Sequence, residues 1–200
     1  MTKQDIIGEV VEKFEGGYCN HKKDRGGETY CGIARKKHPS WEGWKTIDML
    51  KDGRKLTTKA EWKEFSKVLD KHQFLRKKIE AFYDKEYWEA LRLSSVASEK
   101  VQHELFDTGV NCGISGAVRV LQEALNTLNR NNDSRLYADL VVDGKIGMKT
   151  LNAANMLLPR DEGPLMKALN GEQYIRYKKI IKKDPSQEIF WRSWMRRVSF

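Results

Sequence analysis

Long apolar runs are missing from this chain of 200 residues. Nothing in it approaches the ~18 consecutive apolar residues of a membrane-spanning helix, which excludes stable membrane insertion as its way of working. The N-terminal stretch MTKQDIIGEVVEKFEGG is too charged, and its apolar run too short, for a secretory signal. That predicts synthesis in the cytoplasm and passage to any outer target by another route. Cysteine is scarce and odd in number, and Cys19, Cys31 and Cys112 show neither a CxxC nor a His-rich spacing. A disulfide framework and a zinc site are therefore unsupported, although a single Cys19–Cys31 bridge stays open. Four prolines and few β-branched runs leave helix as the dominant expectation. No internal repeat or low-complexity tract is present.

What the chain does have is positive charge and enough apolar mass to fold. The formal net charge is +9 and 40% of residues are hydrophobic, so a buried core is affordable and a polyanionic partner is favoured. Thr2 with Asp5 makes a capping-box-like start, and Ile6, Ile7, Val10, Val11 and Phe14 share one side of the helical wheel that follows. Gly16-Gly17 stops that helix. Residues 16–34 read as a polar loop with a short hairpin around Tyr30-Cys31-Gly32-Ile33. A long helical region starts at Thr58, with Glu61 three residues on; Phe65, Val68 and Leu69 form one apolar stripe, and Phe74, Leu75, Ile79, Phe82 and Tyr83 the next. Further helices run from about Ser98 to Asn111, from Ser115, and from about Gly147, with an interruption at DEGP (Asp161 to Pro164). Trp62, Trp88, Trp191 and Trp194 sit at helical spacings that predict core positions.

The segment FEGGYCNHKKDRGGETYCGIA, Phe14 to Ala34, sets an acid on each of two glycine hinges, Glu15 and Asp24, nine residues apart. At ~100° per residue Glu15 falls on the rim of the first helix's apolar arc, in its last turn. Partial desolvation and the negative end of the helix dipole both hold a proton on such a carboxyl, as general-acid chemistry requires. Asp24 lies among Lys22, Lys23 and Arg25 and should stay ionised. Two carboxyls with opposed environments match glycoside hydrolysis; a Glu at a helix end and an Asp in a turn also occur together without any such role.

EGGY (Glu15 to Tyr18), DRGGETYCGI (Asp24 to Ile33), Tyr87-Trp88, FDTGVNCG (Phe106 to Gly113) and VDGKIGMKT (Val142 to Thr150) follow one another in that order. Together they resemble the bacterial N-acetylmuramidases of glycoside hydrolase family 108, in which an EGGY-type lobe precedes a peptidoglycan-binding-like helical region. The resemblance implies a mainly α, lysozyme-like fold of two helical lobes with a small loop and hairpin element near the active site. It divides the chain into a catalytic lobe, 1–95, and a peptidoglycan-binding-like region, 96–200, packed on the first as one compact unit. It places Glu15 on the catalytic glutamate, and Asp24 and Thr29 on the D-x-G-G-x-T loop. No metal and no cofactor are implied. Basic HKKDR stands where the family more often has acidic or proline-containing residues.

Tyr18 and Tyr30 flank the acids, as sugar-stacking rings or as packing of the loop. Asp107 and Asn111, four apart on one helix face, could line a sugar cleft. In VDGKIG, Gly144 is expected in a tight turn and Gly147 at a close approach. His103 carries no assignment. The implied activity is cleavage of the β-1,4 bond between N-acetylmuramic acid and N-acetylglucosamine in peptidoglycan glycan strands, by a monomer acting on the cell wall after holin-like or other non-Sec release. Two other classes compete with it: a non-catalytic peptidoglycan binder of the same fold, and a nucleic-acid binder. The second is disfavoured because Lys and Arg are spread along the chain without a basic-aromatic motif.

Overall fold

A computed structural model describes residues 1–14, 16–21, 27–131 and 134–199, apart from the side chains of Lys13, Phe14 and Asn131. The chain divides into two units, Met1–Glu86 and Tyr87–Phe200. Among the described residues, helix dominates and strands are confined to two short hairpins. No described helix is long and apolar enough to cross a membrane.

The first unit contains α1 (Lys3–Phe14), the hairpin β1–β2 (Thr29–Tyr30 and Ile33–Ala34), α2 (Gly43–Lys51), α3 (Lys59–Asp70) and α4 (Gln73–Tyr83). Local chemistry sets the helix starts. Thr2 Oγ1 accepts from the Asp5 N–H while the Asp5 carboxylate accepts from the Thr2 N–H, at 3.2 and 2.7 Å. Thr58 and Glu61 make the same reciprocal box at the start of α3, satisfying donors that a helix end leaves open. The core takes Ile6, Ile7 and Val10 from α1, Trp44 and Ile47 from α2, Trp62, Phe65 and Leu69 from α3, and Leu75, Ile79 and Tyr83 from α4.

Two residues of the anticipated stripes lie outside it. Val68 is 46% exposed and Phe74 72%. Trp62, Phe65 and Leu69, spaced three and four apart, already fill the inner face of α3, and Phe74 stands in the first turn of α4.

A π-helical turn, Asp84–Glu89, carries the chain across the boundary. The second unit holds α5 (Glu99–Cys112), α6 (Ile114–Thr127), the hairpin β3–β4 (Arg130–Asn131 and Ser134–Arg135), α7 (Met148–Lys183) and α8 (Trp191–Met195). Helix α7 bends at Asp161, where φ is −123° and ψ 28°. Pro164, three residues on, has no N–H for the Arg160 carbonyl, so DEGP does interrupt the helix. At VDGKIG the close approach belongs to Gly144, not Gly147. Gly144 has φ +73° and a Cβ there would meet Ser115 Oγ at 2.3 Å, whereas nothing stands within 4 Å of one at Gly147. Trp191 and Trp194 are half-buried; Trp191 meets Tyr174 edge-on and Trp194 stacks on Tyr177, and neither enters the core. Cys19, Cys31 and Cys112 form no disulfide.

Candidate active site

The chain leaving α1 is pinned immediately beyond Glu15. The Tyr18 N–H donates to Ser66 Oγ at 2.8 Å, and that hydroxyl donates to the Trp62 carbonyl one turn back on α3, also at 2.8 Å. A Cβ on Gly17 would stand 2.5 Å from Ser66 Oγ, whereas one on Gly16 would meet nothing within 4 Å. Of the two hinge glycines, only the second is demanded by a neighbouring helix.

Cys19 and Thr29 then exchange two backbone hydrogen bonds, at 2.9 and 2.8 Å, and close the base of loop 20–28. Asp24 belongs to that loop. Glu15 and Asp24 themselves lie outside the described residues. Thr29 starts β1, and its hydroxyl donates to the Gly27 carbonyl at 3.3 Å.

Beyond Thr29 the hairpin turns on Cys31 and Gly32, with φ of 44° and 71°. Left-handed values at both central residues define the tight turn that matches strand twist. At Cys31 this costs on the order of 1–2 kcal/mol, because a Cβ crowds the carbonyl in that conformation. Tyr83 Oη, from α4, holds the strained residue by donating to its carbonyl at 2.7 Å.

Both tyrosines that flank the acids are buried. Tyr18 is 4% exposed and packs edge-on against Phe65, with ring centres 4.9 Å apart. Its hydroxyl donates to Glu28 Oε1 at 2.6 Å. Tyr30 is 2% exposed and donates to Asp70 Oδ1 at 2.9 Å. Burial first, then the neighbouring carboxylate, raises the Tyr18 hydroxyl well above the usual phenol range; burial likewise leads the upward shift at Tyr30. Neither phenol loses its proton at working pH, so both serve as donors.

Glu28 emerges as the hub of the segment, and no sequence motif marked it out. Besides Tyr18 it meets Lys51 Nζ, at the end of α2, and Arg35 Nε, just after β2, both at 2.8 Å. Arg35 and Lys51 also face Asp48, at 2.6 and 3.6 Å. An acid inside DRGGET was visible, but its partners stand 10 and 23 residues away in Tyr18 and Lys51.

Two cavities adjoin the segment. One, of about 340 Å³, is lined by Gly16, Gly17, Tyr30, Cys31, Asp70 and Arg76 among others. The second, of about 670 Å³, is lined by Tyr18, Asn20, His21, Arg54, Lys55 and Trp62 among others. Gly16, the residue after Glu15, thus borders open space. No three His, Cys, Asp or Glu side chains gather as metal ligands among the described residues.

Asp107 and Asn111 lie on α5, in the second unit, and are bonded within that unit. Asp107 Oδ1 accepts from Arg197 Nη1 at 2.6 Å, and Asn111 Nδ2 donates to Tyr177 Oη at 2.6 Å.

The fold is mainly helical and lysozyme-like, and comparison with known proteins places it in a class of carbohydrate-cleaving enzymes. The family described as Glycosyl hydrolase 108 matches residues 8–113, and one described as Predicted Peptidoglycan domain matches residues 116–199. A solved structure, that of SagA from Brucella abortus, is 25% identical, with a TM-score of 0.60, and the match covers 98% of this chain and 91% of that one. None of the curated proteins matches. The chain belongs to glycoside hydrolase family 108: it is a glycoside hydrolase that acts on peptidoglycan.

Proposed function

We propose that the protein is an N-acetylmuramidase, hydrolysing the β-1,4 bond between N-acetylmuramic acid and N-acetylglucosamine. Glu15 protonates the glycosidic oxygen. Asp24 stays ionised and either orients water or stabilises the oxocarbenium-like transition state, the two parts a second carboxylate plays in such sites. Thr29 borders the same loop. Tyr18 and Tyr30 hold the frame of the site through their bonds to Glu28 and Asp70, and Asp107 and Asn111 hold the frame of the second unit. The protein works on the wall as a monomer, released by a holin-like or other non-Sec route.

The observation that supports this reading best is the Cys19–Thr29 pair together with the Tyr18–Ser66 bond. They fasten the chain three to five residues from both proposed catalytic acids, as precise placement of reacting groups requires. Mass spectrometry of muropeptides released from purified peptidoglycan tests it. Wild type should leave products ending in reducing N-acetylmuramic acid, and Glu15→Gln should release at least about 100-fold less, the scale of a lost general acid, with unchanged circular dichroism. Full activity in Glu15→Gln, or cleavage at another bond, would refute the assignment.

A further inference from the structure

The larger cavity beside the proposed catalytic segment has an unusual charge balance. Its lining includes Lys51, Arg54, Lys55 and His21, with Tyr18, Asn20 and Trp62, and among the described residues that line it there is no carboxylate. The smaller cavity differs: among its described lining residues Glu12, Asp70 and Glu80 accompany one cation, Arg76, which pairs with Glu12 and Glu80 at 2.5 and 3.2 Å.

The cations of the larger cavity are not equivalent. Lys51 is committed to Glu28. Arg54 is held in place without being neutralised. After α2 the chain turns on Asp52 and Gly53, with φ of 49° and 67°, and brings the guanidinium back onto the helix end. There Nε donates to the Lys51 carbonyl at 3.0 Å and Nη2 to the Leu50 carbonyl at 2.8 Å, while the group lies 5.7 Å from the centre of the Phe65 ring. Nη1 keeps its donors, and among the described residues neither Arg54 nor Lys55 pairs with a carboxylate. Carbonyl oxygens at a helix end orient a cation but do not cancel its charge. A guanidinium fixed this way forfeits little freedom when it binds an anion. Trp62, with its indole N–H bonded to the Leu56 carbonyl at 3.0 Å, and Tyr18 supply an apolar wall.

We infer that this cavity is an anionic subsite that takes a carboxylate of the peptidoglycan strand, with Arg54 and Lys55 as its receiving groups. The inference rests on the reading of residues 15–29 as the glycan-cleaving segment, because Tyr18, Asn20 and His21 of that segment form one side of the cavity. Two carboxylate sources share the chemistry: the lactyl group of muramic acid and the acidic residues of the stem peptide. An uncharged aminosugar polymer offers neither, so the subsite would favour wall glycan over neutral glycan.

Binding measurements need no turnover and so stand apart from the muramidase assignment. The probes are a disaccharide bearing its acidic stem peptide, the same compound with its peptide carboxylates amidated, and the peptide-free disaccharide with a free lactyl group. None contains the bond proposed for cleavage. Where the stem supplies the carboxylate, wild type should prefer the acidic compound over the amidated one by about tenfold at low salt; where the lactyl group supplies it, the peptide-free compound should bind tightest by that factor, either preference fading as screening increases. Lys55→Glu, at an exposed position that pairs with no carboxylate among the described residues, should lower acidic binding by about fivefold and leave amidated binding unchanged. Arg54→Gln combined with Lys55→Glu should abolish the preference. Tight binding of the peptide-free compound would identify the lactyl carboxylate; weak binding would identify the stem. Equal affinity of wild type for the acidic and amidated compounds together with no tighter binding of the peptide-free compound, or a Lys55→Glu variant that binds all three as wild type does, would overturn the inference even if muramidase activity were confirmed.

Discussion

Each unit buries acids, and each treats them differently. In the first, Glu28, with a side chain 10% exposed, meets Tyr18, Arg35 and Lys51, and both cations also face Asp48. In the second, Asp107 and Arg197 pair at 2.6 Å with side chains only 6% and 7% exposed, and Glu104, one turn earlier on α5, is 8% exposed. Asn170 and Thr108 hydrogen-bond to Glu104, yet its Oε1 has no partner. Burial above all, and then the charge of Asp107, raises its pKa from 4.5 to about 7. The first unit surrounds its acid with redundant cations beside the segment proposed to carry the chemistry. The second leaves one acid underpaired beside a tightly paired one.

The sharpest way to break this contrast is Arg197→Ala. It removes the cation that faces Asp107 where both side chains are almost shut off from water, and breaking a buried pair from one side costs about 3–5 kcal/mol. Hydrogen exchange at the amides of α5 should accelerate accordingly, while α3 keeps its protection. A loss below about 1 kcal/mol would mean that Asp107 is not reliant on Arg197.

Glu104 comes next, through pH. Its folded pKa lies above its unfolded value, so folding favours the protonated form. Below about pH 4.5 the group is protonated in both states and costs nothing. As pH rises the unfolded chain ionises it first; the cost grows from there to about pH 7 and then levels off, at a scale of about 3 kcal/mol. Stability of the second unit should therefore fall across that window, and Glu104→Gln should flatten the slope in denaturation curves taken at pH 5 and pH 8. A slope unchanged by the substitution would assign the pH dependence elsewhere.

These features differ in how far they were legible in the sequence. The boxes at Thr2–Asp5 and Thr58–Glu61, the Cys31-Gly32 turn and the DEGP break are written in residues a few places apart, so local chemistry reveals them. Val68 and Phe74 were misplaced because periodicity locates an apolar stripe but not which of its edges meets the core. The EGGY and DRGGET motifs carried the family and its proposed acids. Their support did not show. Tyr18 finds Ser66 across 48 residues, Tyr83 finds Cys31 across 52, and Arg197 finds Asp107 across 90. Partnerships at those separations are set by how helices pack, which composition and spacing do not record. Gly17 is the instructive middle case: the glycine pair was plain, but the reason for its second member is the Ser66 hydroxyl on another helix.

The smallest expected stability effect is Glu28→Gln, and it sharpens the comparison because it tests redundancy. A glutamine keeps the shape and can still accept from the Tyr18 hydroxyl, but it surrenders the charge that faces Arg35 and Lys51. In the second unit the equivalent loss would take the opposite charge away from a group almost shut off from water. Here Asp48 already receives Arg35 Nη1 and Nη2 at 3.0 and 2.6 Å, and the Arg35 and Lys51 side chains are 31% and 21% exposed, so water shares the load. The expected cost is about 1–2 kcal/mol, the range for weakening a charge-assisted hydrogen bond that has other support. Activity should fall further than stability, since Glu28 ties Tyr18 to the end of α2 on one side of the loop that carries Asp24, and small displacements of reacting groups cost large factors in rate. Chemical denaturation and muropeptide release, measured on the same preparation, separate the two effects. A loss of stability as large as that of Arg197→Ala would show that Asp48 provides no reserve, and the contrast between the units would fail.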